Sequence, residues 1–215
     1  DLHSFPTRRS SDLLEAIQTP EAWSYNRGEG ATIMVVDSGI DGKRVPAQKR
    51  AGGWVDPAVK GGNPWKDDYG HGTMVALMAT ANRRDNGFDG VAPEAKLFSM
   101  KPKLGPSGGI LGSSVLKGLD HVLGLNLGPL VINHSWGVFG CNSPRASCFV
   151  LPAQLMKEVS KGALVVWAAG NNRGSCAPTS PGTLWCLNST PYSASAGAVD
   201  RKLRPQFYSS PGPGQ

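Results

Sequence analysis

Short apolar runs closed by a polar residue or glycine alternate along this 215-residue chain with stretches of helical periodicity. Residues 31–37 form an apolar, β-branched run that Ser38 and Gly39 end, which predicts a buried strand with Asp37 at its carboxyl end. Similar runs predict strands over 95–101, 130–136 and 163–169, and helical spacing predicts helices over 111–125 and 151–161. This order predicts a three-layer α/β fold: a mostly parallel β-sheet with helices on both faces.

A second pattern places His71 between two glycines at the start of a helix predicted to reach Asn82. Val75, Met78 and Ala79 recur at i, i+3 and i+4 and predict its buried face. A histidine at the start of a buried helix is rigid and still reachable, which suits a general base. The alternative is a helix-capping turn with an incidental histidine.

Asp37 has a matching position, because the chemistry of open α/β sheets collects at the carboxyl ends of strands. A buried aspartate there can orient a histidine and stabilise its charged form, as in a Ser-His-Asp triad. Two alternatives stay open, an aspartate that caps the next turn and an acyl-phosphate acceptor. Asp67 and Asp68 precede His71 and suggest a metal cluster, but the spacing is not that of a helical HExxH site, and turn aspartates are commoner.

Composition narrows the function classes. The formal charge is +6, but lysines and arginines are scattered, so we expect no nucleic-acid partner. No apolar run approaches the roughly 20 residues of a membrane span, so we expect no membrane partner. Residues 1–13 differ in character from the rest of the chain and are interpreted as a non-native leader, which leaves 14–215 as one domain.

The four cysteines fall into two close pairs in loop-like stretches, and none makes a CxxC metal pattern. We expect local disulfides Cys141–Cys148 and Cys176–Cys186, which implies an oxidising compartment and a secreted or periplasmic protein. The alternative is four free thiols in a cytosolic protein.

Four segments in a fixed order resemble the signatures of the subtilisin-like serine peptidases, over roughly residues 28–213. They are Val35–Asp41 around the aspartate, Gly70–Thr73 around the histidine, Val131–Gly137, and Val165–Asn171. The resemblance implies a serine endopeptidase in which Asp37 and His71 belong to the catalytic triad and Asn171 donates an N–H to the oxyanion.

The resemblance also implies where a polypeptide substrate binds as an extended strand. The implied substrate-binding residues lie in three segments: Gly108, Gly109 and Ile110 as an edge strand; Ser135, Trp136 and Gly137; Ala169 and Gly170. Residues 192–200 resemble a further family strand. We expect a monomer that needs no cofactor; relatives often bind calcium in the loop at 83–90, but this loop does not align clearly with their ligands and is not an EF-hand.

The family's serine segment, Gly-Thr-Ser-Met-Ala, does not occur in the sequence. The chain is therefore interpreted as a C-terminally truncated fragment that is itself inactive. Two alternatives remain, a non-catalytic peptide-binding member of the family and an aspartyl-phosphate receiver built on Asp37. The receiver interpretation lacks an acidic pair ahead of the first strand and leaves the Gly-His-Gly-Thr motif unexplained.

Overall fold

The structure is a computed structural model and describes residues 13–106, 109–136, 157, 159–171 and 191–210. Contacts within the chain divide it into two compact units. The first unit contains the residues up to Lys101 together with Asn126–Leu130, and the second contains Pro102–Leu125 and the residues from Val131 onward.

The first unit is built on three parallel strands in the order β2-β3-β1. Strand β1 pairs with β3 so that Thr32 lies opposite Lys96 and Val36 opposite Met100. Helix α2 packs on β1 and β3. The elements of this unit are α1 (Thr19–Ala22), β1 (Thr32–Val36), a 3₁₀ turn (Ala47–Lys49), β2 (Arg50–Val55), α2 (His71–Thr80), α3 (Arg83–Asn86) and β3 (Lys96–Lys101).

The core of the first unit lies around β1, in which Met34, Val35 and Val36 are all at most 1% exposed. Burial on both faces explains the continuous apolar run, which is typical of parallel strands covered on both sides. Each such side chain contributes about 1.5–3 kcal/mol by leaving water. The core cluster beside the candidate site consists of Val35, Ile40, Val45, Ala76 and Leu97.

The second unit contains strands in the order β4-β5-β6, and β5 and β6 are parallel. Its helix buries Val115, Leu119 and Val122, which recur at helical spacing. In the part of the chain that the structure describes, no helix is long and apolar enough to cross a membrane. The elements are α4 (Gly112–Leu123), β4 (Leu130–His134), β5 (Ala163–Ala168) and β6 (Ala194–Ala196).

The predicted α/β fold with a mostly parallel sheet is confirmed, with differences at individual elements. Strand β2 lies in the segment between Asp41 and Tyr69, for which the sequence predicts only loops, and the strand predicted over 192–200 is limited to Ala194–Ala196. Helix α2 ends at Thr80, two residues before the predicted end. Most of the helix predicted over 151–161 and of the leader 1–13 lies outside the described residues.

Candidate active site

Asp37 continues directly from β1 and is 3% exposed. Its backbone N–H donates to the carbonyl of Met100 at 3.1 Å, which extends the pairing with β3 by one residue. The N–H of Ser38 donates to Asp37 Oδ1 at 2.7 Å. A buried carboxylate is costly unless hydrogen bonds compensate it, and these bonds fix both its backbone and its side chain.

His71 is the first residue of α2, and its side chain is 49% exposed. The Nδ1 atom lies 2.9 Å from each Asp37 carboxylate oxygen. Two acceptors at this distance favour the tautomer with the proton on Nδ1, which leaves the lone pair of Nε2 free to take a proton. The structure therefore brings together the two residues that the sequence singled out, a buried acceptor and a reachable imidazole.

A close approach between α2 and the loop after β1 makes this contact possible. The residues of α2 that are buried are Gly72, Ala76 and Thr80. The prediction that Val75, Met78 and Ala79 form the buried face is wrong for Met78, which is 40% exposed, whereas Val75 and Ala79 are partly buried and Val75 packs against the core cluster. The helix instead packs through small residues, because a Cβ on Gly72 would overlap the carbonyl oxygen of Gly39.

Asp67 holds the first turn of α2, although the sequence indicates only a turn aspartate or a metal ligand at this position. Its carboxylate accepts hydrogen bonds from Ser38 Oγ at 2.8 Å and from Thr73 Oγ1 at 2.6 Å. It also accepts from the N–H groups of Tyr69, Gly70 and Thr73 at 2.9–3.0 Å. Burial alone would raise the pKa of Asp67, but hydrogen bonds from Thr73, Ser38 and Gly70 outweigh it, so the pKa lies below its ordinary value.

The loop at 83–90 does not fit a calcium ion. Calcium takes six to eight oxygen ligands, whereas the Asp89 carboxylate accepts the N–H of Arg83 at 3.0 Å and lies 3.8 Å from the Arg27 guanidinium. The side-chain oxygen of Asn82 caps α3 by accepting the N–H of Arg84. No group of three or more potential metal-ligating side chains occurs among the described residues.

In the second unit, the predicted substrate-binding residue Trp136 belongs to an aromatic cluster with His134 and Trp167, and the hydroxyl of Ser135 accepts the side-chain N–H of Asn133 at 2.8 Å. His134 is fully buried, and it stacks on Trp167 with ring centroids 3.9 Å apart. The indole N–H of Trp136 donates to His134 Nδ1 at 3.1 Å, so His134 carries its proton on Nε2. Burial lowers the pKa of His134 to about 3, so the ring is neutral.

The other predicted residues of the second unit lie after β5 and before α4. Ala169 is buried, Gly170 has a positive φ of 100° and accepts the N–H of Ser210, and Asn171 is exposed. Ile110 forms an isolated antiparallel bridge with Leu104, so Gly109 and Ile110 are not in the edge strand that was expected. Gly108, Gly137 and the cysteines Cys141, Cys148, Cys176 and Cys186 lie outside the described residues.

A parallel α/β sheet with an aspartate–histidine pair at a strand end is an arrangement that suits an enzyme with a histidine base. Comparison with known families makes this specific. Residues 28–215 match the model of the subtilase family, Peptidase S8, and the chain belongs to this family of serine peptidases.

Individual relatives agree with this assignment. Mycosin-3 of Mycobacterium tuberculosis (strain ATCC 25618 / H37Rv) is 33% identical over 184 residues, which cover 74% of this chain and 36% of the relative. Subtilisin E of Bacillus subtilis (strain 168) is 33% identical over 185 residues, and the match covers 86% of this chain and 45% of the relative. The minor extracellular protease Epr of Bacillus subtilis (strain 168) is 33% identical over 160 residues, and the match covers 74% of this chain and 23% of the relative. The chain thus spans less than half the length of these relatives.

Proposed function

We propose that this chain carries the aspartate–histidine part of a serine endopeptidase site. In this proposal His71 is the general base and Asp37 holds its tautomer and stabilises the imidazolium that forms. The observation that carries the proposal is the position of His71 Nδ1, which lies 2.9 Å from both oxygens of an aspartate that is itself 3% exposed. Half of the imidazole remains exposed, so a nucleophile and a substrate can reach it.

The nucleophile in this proposal is a serine, which no Gly-Thr-Ser-Met-Ala segment of these 215 residues supplies. Its hydroxyl attacks the peptide carbonyl while His71 Nε2 takes the hydroxyl proton, and His71 then gives the proton to the leaving amine. Asn171, which follows β5 and is exposed, donates an N–H to the oxyanion of the tetrahedral intermediate. The 215-residue chain alone is accordingly inactive, because no Gly-Thr-Ser-Met-Ala segment supplies the hydroxyl.

The proposed substrates are polypeptides bound in extended form to a monomeric enzyme. Backbone groups of the segments 135–137 and 169–170 would recognise them, since extended peptides bind exposed backbone by hydrogen bonds. We further propose that the protein is secreted. The name of one relative, a minor extracellular protease, supports secretion.

A second candidate is a non-catalytic peptide-binding member of the family, which the experiment below distinguishes from a peptidase. The third, an aspartyl-phosphate receiver, is disfavoured by the geometry. Both Asp37 carboxylate oxygens already lie within hydrogen-bond distance of His71, and the side chain is buried, so neither oxygen is free for a phosphoryl group.

The test uses the protein produced from the longest reading frame that contains this sequence, assayed on casein. Asp37→Asn should lower kcat by roughly 10⁴-fold, and His71→Ala by at least as much. The matched controls are Asp120→Asn and His121→Ala, two exposed residues of α4, which should retain full activity. Turnover that survives His71→Ala would show that the proposed base is wrong. A reading frame without a serine segment and without turnover would favour the peptide-binding alternative.

A further inference from the structure

The two residues of the candidate pair, Asp37 and His71, come from separate elements, and the carboxylate of Asp67 accepts hydrogen bonds from the chain neighbours of both. Asp37 follows β1, whereas His71 begins α2, and 34 positions of chain separate them. Asp67 accepts from the side chain of Ser38, which directly follows Asp37. It also accepts from Gly70 and Thr73, which lie one residue before and two residues after His71.

We propose that Asp67 is the positioning residue of the Asp37–His71 pair. Its hydrogen bonds among the described residues go to chain neighbours of Asp37 and His71 and not to His71 itself, so we assign it a positioning role and not a catalytic one. The effect of Asp67 on turnover rests on the proposed function. Its effect on the orientation of the His71 ring does not.

The first branch of hydrogen bonds fixes the aspartate side. Ser38 Oγ donates to Asp67 Oδ1 at 2.8 Å and accepts the N–H of Gly72 at 3.1 Å. The N–H of the same Ser38 donates to Asp37 Oδ1. Ser38 is 8% exposed, so its orientation is decided by these partners and not by water. Asp67 therefore determines which way the Ser38 hydroxyl faces. The hydroxyl also accepts the N–H of Gly72, so it ties the residue whose N–H holds Asp37 to the start of α2.

The second branch fixes the histidine side. Helix α2 begins after Gly70, which has a φ of +82° and no side chain that could cap the helix. Asp67 takes over the cap, because its oxygens accept the N–H groups of Gly70 and Thr73 and the hydroxyl of Thr73. Thr73 Oγ1 in turn accepts the N–H of Asp41 at 2.8 Å, which links the first helical turn back to the loop after β1.

The charge of Asp67 suits this role. Five hydrogen bonds from donors need an acceptor-only group, which an ionised carboxylate provides and an amide does not. The lowered pKa keeps the group ionised at neutral pH. An asparagine would keep the size of the side chain, but one carboxylate oxygen would be replaced by an NH2 group. This group is a donor, and it would face the N–H and O–H donors that now bond to Asp67.

The experiment follows the imidazole of His71 by proton and nitrogen NMR in Asp67→Asn. The chain has four histidines, and His71→Ala assigns the resonance of interest. We expect the wild type to show a downfield Nδ1–H signal, and Asp67→Asn to lose it while the ring nitrogens shift toward a mixture of tautomers. In the active full-length protein kcat should fall by roughly 10–100-fold with KM unchanged, since misplacing a catalytic group by about 1 Å costs up to 10²-fold.

Asp68→Asn is the matched control. It removes the same charge one residue later, from an exposed side chain that pairs only with Lys66 and Lys101 among the described residues, and it should leave the His71 signal unchanged. A second pair covers the case in which Asp67→Asn does not fold. Thr73→Val removes the hydroxyl that donates to Asp67 and should weaken the Nδ1–H signal of His71. Thr73→Ser keeps the hydroxyl and should keep the signal.

An unchanged His71 signal in folded Asp67→Asn would overturn the positioning role. So would an unchanged signal in Thr73→Val, or an equal loss in Asp68→Asn. These outcomes are separable from a failure of the proposed function. A full-length protein without peptidase activity would leave the NMR comparison intact, and an unchanged NMR signal would leave the catalytic proposal intact.

Discussion

Gly72→Ala tests whether the close contact between α2 and the loop after β1 controls the candidate site. A Cβ at position 72 would lie far inside 3.0 Å of the Gly39 carbonyl oxygen, a separation that real Cβ atoms essentially never show. It would also lie 3.0 Å from Asp37 Cβ and 3.3 Å from Asp37 Oδ1. The obstacle is mainly backbone, which cannot rotate away as a flexible side chain can.

Two opposing terms decide the sign of the change in stability. Alanine is favoured over glycine within a helix by up to about 1 kcal/mol. Overpacking a dense contact costs about 1–3 kcal/mol, and backbone obstacles belong at the upper end. We therefore expect a net destabilisation of about 2 kcal/mol, or a decrease in Tm of roughly 4–8 °C for a chain of this size.

The same substitution should disturb the pair geometrically. To reach an ordinary van der Waals distance, the start of α2 must withdraw by on the order of 1 Å. The Nδ1–Oδ distance of 2.9 Å would then approach about 4 Å, outside hydrogen-bond range. The histidine NMR signal should therefore weaken together with the stability.

Thermal unfolding followed by circular dichroism measures the stability effect. The control is Gly112→Ala at the first residue of α4, where an added Cβ meets nothing within 4 Å, and this variant should be neutral or stabilised. A Gly72→Ala protein that unfolds at or above the wild-type temperature with its His71 signal intact would refute the close-packing reasoning.

Three further predictions concern other parts of the chain. Since the pKa of His134 falls from 6.5 to about 3 on folding, the unfolded state binds more protons between these values, and stability decreases as the pH falls through this window. From pH 6.5 to 5 the wild type should lose about 2 kcal/mol in urea unfolding; His134→Met should not show this loss, and an identical pH slope would contradict the assignment. Lys49 Nζ donates to the carbonyls of Thr80, at the end of α2, and Pro93, so Lys49→Met should lower the free energy of unfolding by about 2 kcal/mol. Lys43→Met, at an exposed lysine, should leave it unchanged, and equal unfolding midpoints of the two variants would argue against this role. Peptide mapping without reduction should recover Cys141–Cys148 and Cys176–Cys186, and free thiols or crossed pairs would exclude that pairing.

Much of the fold could be predicted because burial leaves a local signature. The strands β1, β3, β4 and β5 coincide with apolar runs, and the helix α4 coincides with apolar residues at helical spacing. Strand β2 could not be found in this way, because packing requires glycines within it. Gly52 has a φ of +138° at a register shift, and a Cβ on Gly53 would lie 2.8 Å from the Pro64 ring. The two glycines allow β2 to pack closely, but glycine is depleted in strands, so they also weaken the sequence pattern that would predict the strand.

The candidate pair was predictable, whereas the groups that support it were not. Asp37 and His71 stand in distinctive local motifs, but the role of Asp67 depends on donors that come from both sides of a tertiary contact. An aspartate four residues before a helix-initial histidine that follows a glycine is the local signal that could have indicated it. The stacking of His134 on Trp167 joins β4 and β5, and no local pattern encodes such a contact.

The pairing of β1 with β3 has a consequence for how the chain is synthesised. About 60 residues separate these partners along the chain, and the backbone of Asp37 is held by Met100 at the far end of that span. A ribosome adds about 5–20 residues per second, so β1 waits roughly 3–12 s for its partner. During this interval a strand of five consecutive residues, Thr32–Val36, leaves the ribosome with its backbone groups unpaired by β3. Such exposed apolar strands are prone to aggregation, so we expect chaperone binding during translation to concentrate on this segment until β3 has emerged.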